Sequence, residues 1–158
     1  MNYSETIEAL NDLIQINHDR IAGYERAIAN INKGRFSPVA AGVMQVYIKD
    51  SQNHVAELSQ YVQKMGGTPA NSSTVSGKLH RAWMDIKTTF SFNDKETILE
   101  SCIFGDQAAI TTYEAALADE AHHWVSDLKS VLTNQLRNIS LACKANEGYE
   151  KALQVPDH

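Results

Sequence analysis

Apolar residues recur at alternating steps of three and four along most of the chain. Ile7, Leu10, Ile14, Ile21, Tyr24, Ile28 and Ile31 keep that spacing behind a Ser4 cap, which predicts a first helix with one buried seam ending near Gly34. Ser37-Pro38, a cap and a first-turn proline, opens a second seam of Met44, Tyr47, Ser51, His54, Leu58, Tyr61 and Met65 that stops at Gly66-Gly67. A third seam, Leu99, Ile103, Asp106, Ile110, Tyr113 and Leu117, follows a capping-box-like pair, Asn93 and Glu96. Asp119-Glu120 marks the next turn, and Val125, Leu128, Leu132, Gln135, Ile139, Ala142 and Asn146 form the fourth seam before Pro156. Between the second and third helices, residues 68–77 (TPANSSTVSG) read as a loop. Leu79, Trp83, Ile86 and Phe90 then predict a short helix in the crossover with Trp83 as its anchor.

The first and third segments are copies. Residues 99–117 (LESCIFGDQAAITTYEAAL) align on residues 10–28 (LNDLIQINHDRIAGYERAI) at a constant spacing of 89 residues, the distance from Tyr24 to Tyr113. A helix repeated in this way, with another long helix after each copy, is a duplicated helical hairpin. Short turns near residues 35 and 120 and a long middle connection give an all-α chain, wired as a ferritin-like antiparallel four-helix bundle. Residues 1–158 read as one domain, long enough to need neither disulfide nor metal for stability.

Composition narrows the function classes. With 14 Lys+Arg against 19 Asp+Glu and a net charge of −5, scattered along the helices, no basic patch invites nucleic acid or an anionic membrane surface. No stretch is apolar enough for a signal peptide or a membrane span, and Cys102 and Cys143 lie inside apolar seams without CxxC spacing. The expectation is a cytoplasmic protein with reduced core thiols. Self-association through an outer helix face, as a homodimer, is expected, and a further protein partner is not named by the sequence.

Candidate chemistry sits where the seams turn polar. Residues equally far from a hairpin turn share a height along the bundle, so a turn near 35 pairs Asn17 with His54 and a turn near 120 pairs Asp106 with Gln135. Asn17, Ser51, His54, Asp106 and Gln135, with Asn138 flanking, therefore form one polar belt. Ser51-x-x-His54 and Gln135-x-x-Asn138 stand where a di-iron bundle carries Glu-x-x-His, and one carboxylate with one imidazole is too little charge for two irons. Two readings follow: a buried network that fixes register, or one transition metal, Fe, Mn or Zn, on His54, Asp106, Gln135 and Ser51. Glu25 and Glu114, beside the repeated tyrosines, are secondary metal candidates; Glu25 is set roughly 12 Å away from Asn17 along the axis. Glu120-x-x-His123, with His122, lies at a turn and reads as solvated.

Several segments taken together resemble a bacterial ferritin-like domain family of unknown function. They are LNDLIQINHDRIAGYERAI, HVAEL followed by KMGGTP, GKLHRAWMDIK of the crossover, and FGDQAAITTYEAAL. The resemblance spans nearly the whole chain and implies the ferritin-like fold without an established activity. It also implies a Glu where this chain has Asp106, so the carboxylate is kept and shortened. The functional expectation is a non-enzymatic, stress-related or protein-interaction module without a complete di-iron site. A single-metal protein for redox protection is the alternative.

Overall fold

A computed structural model describes residues 3–30, 38–71, 95–119 and 124–154. They form four helices: α1 (Ser4–Asn30), α2 (Pro38–Lys64), α3 (Lys95–Ala118) and α4 (Ser126–Gln154). The expected turn at Gly34 and Ser37, the crossover helix with Trp83, the Asn93 cap, and Glu120, His122 and His123 lie outside the described residues. The Ile7 N–H donates to the Tyr3 carbonyl at 2.8 Å, so α1 is capped at Tyr3, one residue before Ser4.

Antiparallel packing of α1 on α2, of α3 on α4, and of α1 on α3 builds the bundle, while α2 and α4 touch only sparsely. At 27 residues, α1 and α2 are each ~40 Å long. Two apolar clusters fill the interior. One gathers Leu10, Leu13, Ile14, Leu58, Val62, Tyr113, Leu132 and Ile139; the other gathers Tyr24, Met44, Ile48, Leu99 and Cys102 nearer the opposite end. The seams of the sequence supply most of these side chains. Val125 is an exception: it precedes α4 and is exposed, because Trp124 folds back to donate from Nε1 to the Ala116 carbonyl at 2.9 Å.

Helix α2 ends in a glycine cap. Gly66 has φ +85°, its N–H donates to Gln63 O, and the Gly67 N–H reaches Val62 O at 2.9 Å. These are the bonds of a Schellman motif, and the left-handed residue at its centre favours glycine. Beyond it the chain is drawn toward α1, where Asn11 donates to Thr68 O and accepts from Ala70 N–H. Thr68 and Ala70, the described start of the connection to α3, are thus held against α1. None of the four helices, over its described residues, is long and apolar enough to cross a membrane.

Candidate functional site: two polar levels inside the bundle

The polar residues that interrupt the seams are buried as the periodicity requires, but they occupy two levels instead of one belt. The first level is a ring. His54 Nδ1 lies 3.0 Å from Asn17 Oδ1, an acceptor, so the ring nitrogen there carries the proton. Asn17 Nδ2 donates to the Tyr113 hydroxyl at 2.9 Å, Tyr113 donates to Gln135 Oε1 at 2.6 Å, and Gln135 Nε2 donates to Glu57 Oε1 at 2.8 Å. The path runs from α2 through α1, α3 and α4 and returns to α2 one turn further along. Every donor points the same way round.

The second level holds charge. Arg20 Nε donates to Asp106 Oδ1 at 2.7 Å, and Arg20 Nη1 donates to Ser51 Oγ at 2.7 Å. The other carboxylate oxygen, Asp106 Oδ2, accepts from the Tyr24 hydroxyl at 2.7 Å and from Asn146 Nδ2 at 3.2 Å. Asn146 also donates to the Tyr24 hydroxyl at 2.8 Å. All four helices contribute here too, and Asp106 and Ser51 are fully buried. Tyr47 packs against Tyr24 with ring centroids 5.3 Å apart.

The duplication explains the pairing. Asn17 and Asp106 are equivalent residues of the two copies, as are Tyr24 and Tyr113. Asn17 bonds Tyr113 and Asp106 bonds Tyr24, so each copy's seam-breaking residue meets the other copy's tyrosine across an approximate two-fold axis. The glutamates beside those tyrosines, Glu25 and Glu114, both point into solvent.

Heights estimated from the hairpin turns hold for Asn17 and His54. They fail for Asp106, whose partner on α4 is Asn146 rather than Gln135. Helix α3 stops at Ala118 but α4 does not begin until Ser126, which displaces α4 along the axis relative to a turn centred at 120. Asn138 bonds Asp50 of α2 at 3.2 Å and belongs to neither level. Arg20 is the residue that sequence reading missed. Spacing from Asn17 to Tyr24 admits either Arg20 (steps of three and four) or Ile21 (four and three), and apolarity favours Ile21; the structure buries Arg20. Its signal was the lone Asp in the partner seam, which needs a cation.

Burial sets the electrostatics. It pushes the Asp106 carboxyl upward, against the pull of Arg20, Tyr24 and Asn146. Burial also disfavours the Arg20 cation, but Asp106 and Tyr24 outweigh it and its pKa rises. Arg20 stays charged in the core. Burial, reinforced by the Arg20 charge, lowers His54 to about 4, so the imidazole is neutral at pH 7. The phenols of Tyr24 and Tyr113 are raised by burial and remain donors. Burial likewise raises the Cys102 thiol, and Cys143 is pushed up to about 12, so neither offers a thiolate. Tyr113→Phe removes the link between Asn17 and Gln135 and is expected to destabilise the protein by about 1–3 kcal/mol in urea unfolding.

Similarity to known proteins agrees with this architecture. A family model described as a domain of unknown function, DUF2383, matches residues 5–119. No curated protein matches the sequence. Among solved structures the chain is similar to a ferritin-like, diiron-carboxylate protein from Bacillus anthracis strain Ames. Identity is 18%, 95% of this chain and 99% of that chain are covered, and the TM-score is 0.73. The likeness shows the ferritin-like fold.

Proposed function

The chain belongs to the DUF2383 family, a domain of unknown function, and from that membership and its interior we propose a ferritin-like bundle that uses its own Arg20 where a di-iron relative uses metal. Its role is then that of a non-enzymatic module for protein interaction, as in a stress response. The observation that carries this reading is the Arg20–Asp106 pair, 2.7 Å long and fully buried.

Because the solved relative is a diiron-carboxylate protein, di-iron is the group to test. The residues here do not fit it. Two iron ions need several carboxylates for charge balance. Among the described residues Asp106 is the one carboxylate at the charged level, with both oxygens already engaged by Arg20, Tyr24 and Asn146. A guanidinium beside it adds a positive charge that repels cations. His54 faces Asn17 one level away. Among the described residues no group of three or more His, Cys, Asp or Glu could hold a metal ion.

The second reading keeps a single Fe, Mn or Zn ion on His54, Asp106, Gln135 and Ser51 for redox protection. Its support is the ligand-type residues that break the seams and the di-iron character of that relative, and it requires Arg20 to release Asp106. Thermal unfolding with added Mn2+ or Zn2+ separates the two. The wild-type protein is expected to shift by no more than about 1 °C, because an ion that does not bind the native state cannot stabilise it. A stabilisation of several degrees that disappears in both His54→Ala and Asp106→Ala would establish the single-ion reading instead.

A further inference from the structure

The sparse contact between α2 and α4 leaves an apolar face that the interior chemistry does not use. Where the two helices are tied, the ties are polar: Asp50 to Asn138 and Glu57 to Gln135. Toward the N-terminus of α2 they separate around a cleft of about 190 Å³, with Val39, Val43 and Tyr47 on one side, Ala145 and Tyr149 on the other, and Leu99 among its lining residues. Outside the cleft the same face continues through Val46 and Leu141. Rows match across it, because antiparallel helices that join Asp50 to Asn138 set Val46 near Leu141, Val43 near Ala145 and Val39 near Tyr149.

Two features distinguish this face from an ordinary solvated one. Residues 38–48 (PVAAGVMQVYI) carry no charge, although 21% of the chain is charged. Their outward positions hold valines and a glycine, poor helix formers that a purely solvated helix has no reason to use. Gly42 lies among them in the second turn of α2, with open space where a Cβ would project. A glycine on an exposed helical face permits close approach of another backbone.

We propose that this face, formed by α2 and α4, is where a second copy of the chain docks to make a two-fold homodimer, with the α2 helices crossing near Gly42. Val39, Val43, Val46, Leu141 and Tyr149 are between 36% and 76% exposed. Together they offer on the order of 500 Å² per copy, so a two-fold pairing removes about 1,000 Å², the lower bound of a specific interface. An isologous contact needs a self-complementary surface, and an uncharged ridge beside an uncharged cleft is one. The absence of charge matters in a chain of net charge −5, where two copies otherwise repel. The proposal goes beyond the reading of the interior and does not depend on it.

Sedimentation velocity of the full chain, across the micromolar to submillimolar range, tests it. The wild-type protein is expected to dimerise. Gly42→Arg places a bulky cation on the face without touching the fold, since nothing lies within 4 Å of the new Cβ. It is expected to raise the dimer dissociation constant by about a hundredfold or more while helicity and melting temperature at low concentration are retained. Val125→Asp, at an exposed apolar residue off this face, should leave the dimer intact. A wild-type protein that stays monomeric throughout overturns the proposal, as does a Gly42→Arg variant that dimerises as tightly as wild type. So does a monomer whose melting temperature Gly42→Arg lowers, because the face is then covered by the chain itself.

Discussion

Replacing Arg20 with Met is expected to cost about 3–5 kcal/mol of folding stability at pH 8, the largest effect of any single substitution considered for this bundle. The cause is the charge left behind. Asp106 has no exposed surface, and without Arg20 its carboxylate keeps only the Tyr24 and Asn146 hydrogen bonds. Burial already raises its pKa with Arg20 in place, so loss of the cation raises it further. A group whose folded pKa is raised contributes stability at low pH and loses it as pH rises through that value. The Arg20→Met variant should therefore be closer to wild type at pH 5 than at pH 8. Adding Asp106→Leu removes the orphaned charge and should recover at least ~2 kcal/mol of the loss at pH 8. Recovery stays incomplete, since Ser51, Tyr24 and Asn146 lose partners in the double variant. Urea unfolding of wild type, Arg20→Met and the double variant at both pH values measures each quantity, and an Arg20→Met variant within ~1 kcal/mol of wild type at pH 8 would show that the pair is exposed to water.

Acid should destabilise the bundle through His54. Its folded pKa is about 4 against an ordinary value of 6.5, so between those values the unfolded chain binds a proton that the native state refuses. The sign follows from linkage: a depressed folded pKa contributes stability above 6.5 that is lost as pH falls toward 4, to a limit of about 3 kcal/mol. Asp106 works in the opposite direction over part of this window, because its raised pKa favours the native state as pH falls. Wild type alone shows the sum. The difference between wild type and His54→Gln cancels the Asp106 contribution and isolates the imidazole. That difference should shrink steadily from pH 6.5 to 4, and a difference that does not change with pH would mean that His54 is solvated or already charged in the native state.

The fold was legible because seam spacing and internal duplication are both properties of the chain itself. Leu10, Ile14, Leu58, Leu99, Tyr113, Leu132 and Ile139 are buried where their periodicity puts them. The membership of the polar interior was legible in part for the same reason: Asn17, Ser51, His54, Asp106 and Gln135 break apolar runs, and a seam position is buried whatever occupies it. What the spacing does not contain is the axial offset of α4 against α3. Asn146 lies about three turns beyond Gln135 on α4, and the step from Ala118 to Ser126 supplies part of the shift that brings it, rather than Gln135, to Asp106. Arg20 was hidden by a local ambiguity between two helical steps: its apolar neighbour Ile21, which itself packs on the second core cluster, satisfies the spacing equally well. The repeated tyrosines first marked the duplication; in the folded bundle their hydroxyls are the cross-links between its halves.

An Arg inside a ferritin-like bundle changes what the interior can do. A carboxylate paired with a guanidinium is neutralised without metal, and its lone pairs are committed to fixed donors. The directed ring at Tyr113 and the charged level at Asp106 each tie all four helices.

The measurement that bears most directly on this account is the metal content of protein purified without a histidine tag, by elemental analysis for Fe, Mn and Zn per chain. With Arg20 as the counter-ion of Asp106, each metal should be far below one per chain, and unchanged in Asp106→Ala and His54→Ala. One or more equivalents of a single metal, lost in both variants, would contradict it.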